Sequence, residues 1–223
     1  MSMRNTLAAV SLAAALLIGC EKDPVERGID CLRLGDYAMA KSFFNEQLRR
    51  EPTHFDARVG MGKALLQEAR ARDGDTARWR EALVHLQAAR SIESREFLFP
   101  LLSEAWFLYA RAMLRAHDTV AALTALTFSL DNQPDNTAAL NLAGILYAGY
   151  GRTSVAESSF VRALNIDSSN TDILFNLGLL CWYRGDYECS VSYWRRLAEL
   201  DSTDTRVRRR LELARRRTKE TAQ

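Results

Sequence analysis

Residues 103–136 read SEAWFLYARAMLRAHDTVAALTALTFSLDNQPDN, residues 137–170 read TAALNLAGILYAGYGRTSVAESSFVRALNIDSSN, and residues 171–204 read TDILFNLGLLCWYRGDYECSVSYWRRLAELDSTD. These three blocks of 34 residues lie on one another without a gap. Trp106, Leu140 and Leu174 share a column, as do Tyr109, Ala143 and Leu177, and Ala110, Gly144 and Gly178. Farther along, Ala122 aligns with Ala156 and Ser190, and Leu126 with Phe160 and Trp194. A fixed period of this length marks a solenoid, in which each unit buries its apolar face only against its neighbours.

Each block reads as two helices and a turn. In the second, Leu140, Ala143, Gly144 and Tyr147 recur at i, i+3, i+4 and i+7, one face of an α-helix. Gly151 breaks that pattern where a reversing chain uses a positive φ, and Val155, Ala156, Ser159, Phe160 and Ala163 resume it. Gly144 and Ala156 leave no side chain between the two backbones, so a bulky neighbour fills the space. Asp167, Ser168, Ser169 and Asn170 supply turn and cap chemistry before the next helix.

On these residues the chain resembles the tetratricopeptide-repeat (TPR) family. Leu174, Leu177-Gly178, Ser190, Trp194 and Leu197 carry the signature in the third block, and Pro134 carries its terminal proline in the first. Cys181 stands where the family has Tyr, and Ser168 and Ser202 replace the proline. The resemblance implies an all-α, right-handed superhelical solenoid of helix-turn-helix repeats.

The same register extends upstream. Residues 21–54 form a first repeat, with Gly28, Cys31, Gly35, Tyr37, Ala40, Phe44 and Pro52 on the expected columns. Residues 55–96 form a second, with Gly62, Leu65, Ala82, Leu86 and Ala89 as core columns and an insert of about eight residues near 70–77. Gly60-Met61-Gly62-Lys63 lacks the spacing of a phosphate loop, and Gly62 has a packing role. Residues 97–102, FLFPLL, interrupt the register, and Pro100 suits the first turn of an extended helix. Five repeats result: 21–54, 55–96, 103–136, 137–170 and 171–204.

The two ends differ from this body. Arg4 followed by the apolar run Leu7–Ile18 reads as an export signal over residues 1–19, too short to span a bilayer comfortably. Its end, Leu17-Ile18-Gly19-Cys20, resembles a bacterial lipoprotein signal. That resemblance makes Cys20 the acylated first residue, and Glu21 rather than Asp after it favours the outer membrane facing the periplasm. At the other end, residues 205–223 read as a capping helix with Val207, Leu211 and Ala214 as its apolar stripe. Eight Arg and Lys against Glu212 and Glu220 give this tail a net charge of +6, so the remainder of a chain of net +2 carries −4. Such a run is either a solvated face or a contact for an anionic partner, a membrane headgroup or an acidic protein segment.

No catalytic constellation is present. His54, His85 and His117 are scattered and fit no metal-ligand spacing, so neither metal nor cofactor is expected. Cys31 and Cys181 share a repeat column and read as buried thiols; a Cys181–Cys189 disulfide within one repeat is the alternative. In TPR arrays the first helices of the repeats line a groove that holds a peptide or helix. The matching positions are Phe107, Arg111, Asn141, Ile145, Phe175, Asn176, Leu179 and Trp182. Some family members clamp a terminal carboxylate; Asn176, Arg206 and Arg210 match that clamp, and Asn141 and Ile145 depart from it.

The sequence therefore reads as a lipid-anchored adaptor of the bacterial envelope, similar in plan to pilotin-type TPR lipoproteins of pilus assembly. Its partners are envelope proteins bound as a peptide or helix, and the membrane through the anchor; nucleic acid is not expected. A structural spacer, or an accessory of an envelope enzyme, are the alternative readings.

Overall fold

Four of the turns within helix hairpins share one geometry. The computed structural model describes residues 23–71 and 76–221, so the leader, Cys20 and the tip of the insert lie outside the described residues. In three of these turns Gly35, Gly151 and Gly185 take φ values of 76°, 71° and 77°, and in a fourth His117 takes 61°. Each of the four amides closes back on the carbonyl three residues earlier, and the next amide on the carbonyl five residues earlier. This is how an α-helix ends in a left-handed residue. The following helix is capped at once: the carboxylates of Asp36, Asp118 and Asp186 accept from the amides of Met39, Ala121 and Cys189. Between repeats Asn136 and Asn170 do the same for Ala139 and Ile173.

These stops and starts cut the described residues into eleven helices. The chain divides into two compact units at Arg95/Glu96. The first unit holds α1 (Pro24–Arg33), α2 (Tyr37–Arg50), α3 (Phe55–Ala71) and α4 (Thr76–Ile92). The second holds α5 (Leu98–Arg115), α6 (Thr119–Asn132), α7 (Thr137–Gly149), α8 (Thr153–Ile166), α9 (Thr171–Tyr183), α10 (Tyr187–Leu200) and α11 (Thr205–Thr221). Within each unit successive helices pack as hairpins, α1 on α2, α3 on α4, α5 on α6, α7 on α8 and α9 on α10, with α11 closing the second unit on α10.

The hairpins are held by large side chains set opposite small ones. A Cβ built on Gly144 would meet the Phe160 ring at 2.6 Å, and one on Gly178 would run into the Trp194 indole. In the first unit Gly28 and Gly60 face the ring of Phe44 from two sides. Phe44 and Trp194 are wholly buried and Phe160 nearly so, a burial that stabilises by about 1.5–3 kcal/mol for each such side chain. Val207, Leu211 and Ala214 of α11 join the core built on Phe160, Leu174 and Trp194, as the capping stripe predicts.

Two local departures from the repeat have visible causes. The insert near 70–77 lengthens the helices on both sides, so that α3 and α4 each run 17 residues where α6 runs 14. The third hairpin begins at Leu98 rather than at Ser103. Pro100 sits in the first turn of α5, where its missing N–H costs no helical bond. Leu98 and Leu102 are buried and Phe97 is exposed.

Candidate peptide-binding groove

Every residue expected to line a groove falls on α5, α7, α9 or α11, the first helices of the second unit's repeats and its cap. Phe107 and Arg111 from α5 and Asn141 and Ile145 from α7 come together with Leu114, Arg115, Ala138 and Leu142 around a groove of about 340 Å³. Ile145 is the most open of its large apolar members, 44% exposed. The guanidinium of Arg111 lies 6.0 Å from the centre of the Phe107 ring.

The next step along this face is a pair of amides. Asn176 Nδ2 of α9 donates to Asn141 Oδ1 of α7 at 2.9 Å. The pairing uses one donor and one acceptor. It leaves the Asn141 amide N–H groups and the Asn176 carbonyl oxygen without partners among the described residues. A peptide backbone presents the complementary pair, a C=O and an N–H.

Beyond the amides, Phe175 is roofed by two arginines of α11. The guanidinium carbon of Arg206 lies 5.0 Å and that of Arg210 5.5 Å from its ring centre, within cation–π range. Arg206 is held by Asp204, from Nη2 to Oδ2 at 2.7 Å, with Asp172 at 3.7 Å. The hydrogen bond from Arg206 holds the Asp204 carboxyl below the usual carboxylate range. This end of the face is therefore cationic and already partly neutralised.

Trp182 and Leu179 are set differently. Both pack in part against the core, Trp182 with its ring centre 4.9 Å from Tyr187 and 6.2 Å from Trp194. Neither lines the groove between α5 and α7, and their packing holds α9 on α10. The Trp194 indole N–H in turn donates to the Phe175 carbonyl at 3.2 Å, which ties the groove wall to the core.

The cysteines correct one expectation. Cys181 is not a free buried thiol: it is bonded to Cys189, with the two Cα atoms 5.7 Å apart, which fixes the hairpin of α9 and α10. Cys31 is half-buried rather than buried, and desolvation pushes its thiol pKa up, helped by Asp36 and Asp30. Elsewhere His85 is held neutral, its pKa brought down to about 4 by burial and then by Arg58. Among the described residues no group of three or more His, Cys, Asp or Glu is placed to hold a metal ion.

Two features here were not foreseen. The buried Ser103 and Ser129 form a polar cluster with the half-buried Asn136, with Ser129 Oγ donating to the Ser103 carbonyl at 2.8 Å and Asn136 Nδ2 to Ser103 Oγ at 2.9 Å. Arg162 donates to the Pro134 carbonyl at 3.1 Å and Arg196 to that of Ser168, so α8 and α10 are each pinned to the end of the preceding repeat. A sequence signal for the second existed, because Arg162 and Arg196 stand one period apart.

No family model matches the chain. The protein YrrB, described as a TPR protein with an unusual peptide-binding site, superposes with a TM-score of 0.58 at 15% identity, over 87% of this chain and 94% of that one. The fold is that of the tetratricopeptide-repeat solenoid. A second TPR structure, the first TPR of Spaghetti (RPAP3) bound to the HSP90 peptide SRMEEVD, matches with a TM-score of 0.50 at 17% identity, over 56% of this chain and 98% of that one. Among curated proteins, the BBSome complex member bbs-4 of Caenorhabditis elegans is 30% identical over 86 residues. That match takes in 37% of this chain and spans only 18% of the length of the relative.

Proposed function

We propose that this TPR chain is a lipid-anchored adaptor that holds a peptide or helical segment of another envelope protein along α5, α7, α9 and α11. The observation that carries the reading is the Asn141–Asn176 pair, which keeps a spare donor and acceptor between the Phe107–Ile145 groove and the roofed Phe175. Apolar side chains of the bound segment enter the groove, while its backbone meets the amides. YrrB and the RPAP3 repeat, both described as peptide binders, support a peptide as the occupant. The Cys181–Cys189 bond supports an oxidising compartment such as the periplasm. Anchorage at Cys20 rests on the leader sequence, and with it the outer membrane as the site of work. Assembly of a pilus, a secretion machine or an outer-membrane complex is the setting that suits such an adaptor, which acts by holding and not by catalysis.

A photoreactive residue in place of Ile145, activated in intact producing cells, tests this. The expected result is an adduct with one envelope protein that disappears in the Asn141→Ala/Asn176→Ala double variant. An adduct that survives the double variant, or none at all, overturns the groove reading.

A further inference from the structure

The other flank of α11 carries a second site that the groove does not use. Glu188, Val191, Ser192 and Arg195 of α10 face Arg215, Thr218 and Lys219 of α11 across a cleft of about 490 Å³. At 3.6 residues per turn, Arg215 and Lys219 lie roughly half a turn around α11 from Arg206 and Arg210. Several cations elsewhere in the fold are paired, Lys41 and Arg78 with Glu68, Arg184 with Glu157, Arg206 with Asp204 and Arg217 with Glu220. Arg195, Arg215 and Lys219 have no ion pair or hydrogen bond among the described residues. Arg215 and Lys219 are also like charges at i,i+4, an arrangement that opposes helix formation unless an anion lies between them. The cleft thus concentrates uncompensated charge over the nearly buried Val191 floor.

The charge specifies the ligand. Three cations and Glu188 leave a net of +2, which a phosphate monoester of about −1.5 to −2 balances and a single carboxylate does not. Donors converge from two helices, as a tetrahedral oxyanion requires, and guanidinium forks match phosphate oxygens in pairs. The hydroxyl of Ser192, exposed and without a partner among the described residues, adds a neutral donor. We propose that the α10–α11 cleft binds a phosphate group, carried on a lipid headgroup or on a soluble phosphate ester.

The test uses the full chain and two charge-matched double variants. Arg215→Gln/Lys219→Gln empties the cleft, while Arg209→Gln/Arg216→Gln removes the same charge from the outward face of α11. Titration calorimetry with glycerol 3-phosphate reads the soluble source. Flotation with phosphatidylcholine vesicles, with and without phosphatidic acid, whose headgroup is a phosphate monoester, reads the lipid source, because an acyl anchor enters both vesicles alike. Binding in either arm that weakens about tenfold for each cation removed from the cleft, and little in the outward variant, supports the site and names its source. Equal loss in both variants reduces the cleft to diffuse attraction, and absence of binding in both arms removes the proposal. Binding of polyglutamate without binding of either phosphate probe replaces phosphate by an acidic protein segment, and also overturns it.

Discussion

At the scale of single residues, the fold depends on where side chains are missing. Gly144 is the clearest case, since a Cβ there would already press on the Phe160 ring, and Phe160 is enclosed by the core of the second unit. Gly144→Leu is expected to lower stability by roughly 1–3 kcal/mol or more, the cost of overpacking a filled core. A denaturant midpoint equal to wild type would mean that α7 and α8 do not meet there. The opposite change is available one turn earlier in the array. His117 occupies the left-handed position that glycine holds in the other three turns, at a cost of about 1–2 kcal/mol for a residue with a Cβ. Part of that is returned to the unfolded chain as entropy when glycine replaces it. His117→Gly is therefore expected to raise the melting temperature, and a fall would show that the imidazole has a contact worth more than the strain.

At the scale of elements, the period of 34 made the helix pairs legible, because Gly144 with Phe160 and Gly178 with Trp194 each recur one repeat apart. Features that depend on direction rather than on order were not legible. Trp182 reads as an exposed groove position, yet its ring packs toward Tyr187 and Trp194; a column assigns a helix face and leaves the rotamer open. The early start of α5 at Leu98 was legible only through Pro100, which suits a first helical turn, because residues 97–102 belong to no repeat column. The Cys181–Cys189 bond depends on the meeting of two Cβ vectors across a turn, which spacing alone leaves undecided. Its contribution follows from the chain it closes. A sequence separation of eight corresponds to roughly 2–3 kcal/mol in the chain-entropy account. Cys189→Ser, which keeps the buried Cys181, should move the urea midpoint down by that amount. Addition of a thiol reductant should lower wild type to the same midpoint and leave the variant unchanged. A variant as stable as the oxidised parent would mean that the hairpin is fixed by Trp194 and its neighbours alone.

At the scale of the whole molecule, the proposed anchor sets where the first unit works. An acylated Cys20 is followed by only Glu21, Lys22 and Asp23 before α1 begins at Pro24. Even a fully extended chain covers about 3.5 Å per residue, so such a tether would hold α1 within roughly 10–15 Å of the lipid surface. Cys20→Ala should first move the protein from the membrane to the soluble fraction, and unchanged fractionation would remove the anchor. The length of the tether gives a finer test. Ile29 is exposed on α1. A fluorophore placed there, in a Cys31→Ser background, should be quenched by a headgroup-bound quencher in reconstituted vesicles. A flexible Gly/Ser insert of about 20 residues after Asp23 raises the mean reach to about 25 Å, and the quenching should fall accordingly. Quenching that persists with the long insert would mean that the first unit binds the bilayer by its own surface, with the acyl chains serving only to deliver it there.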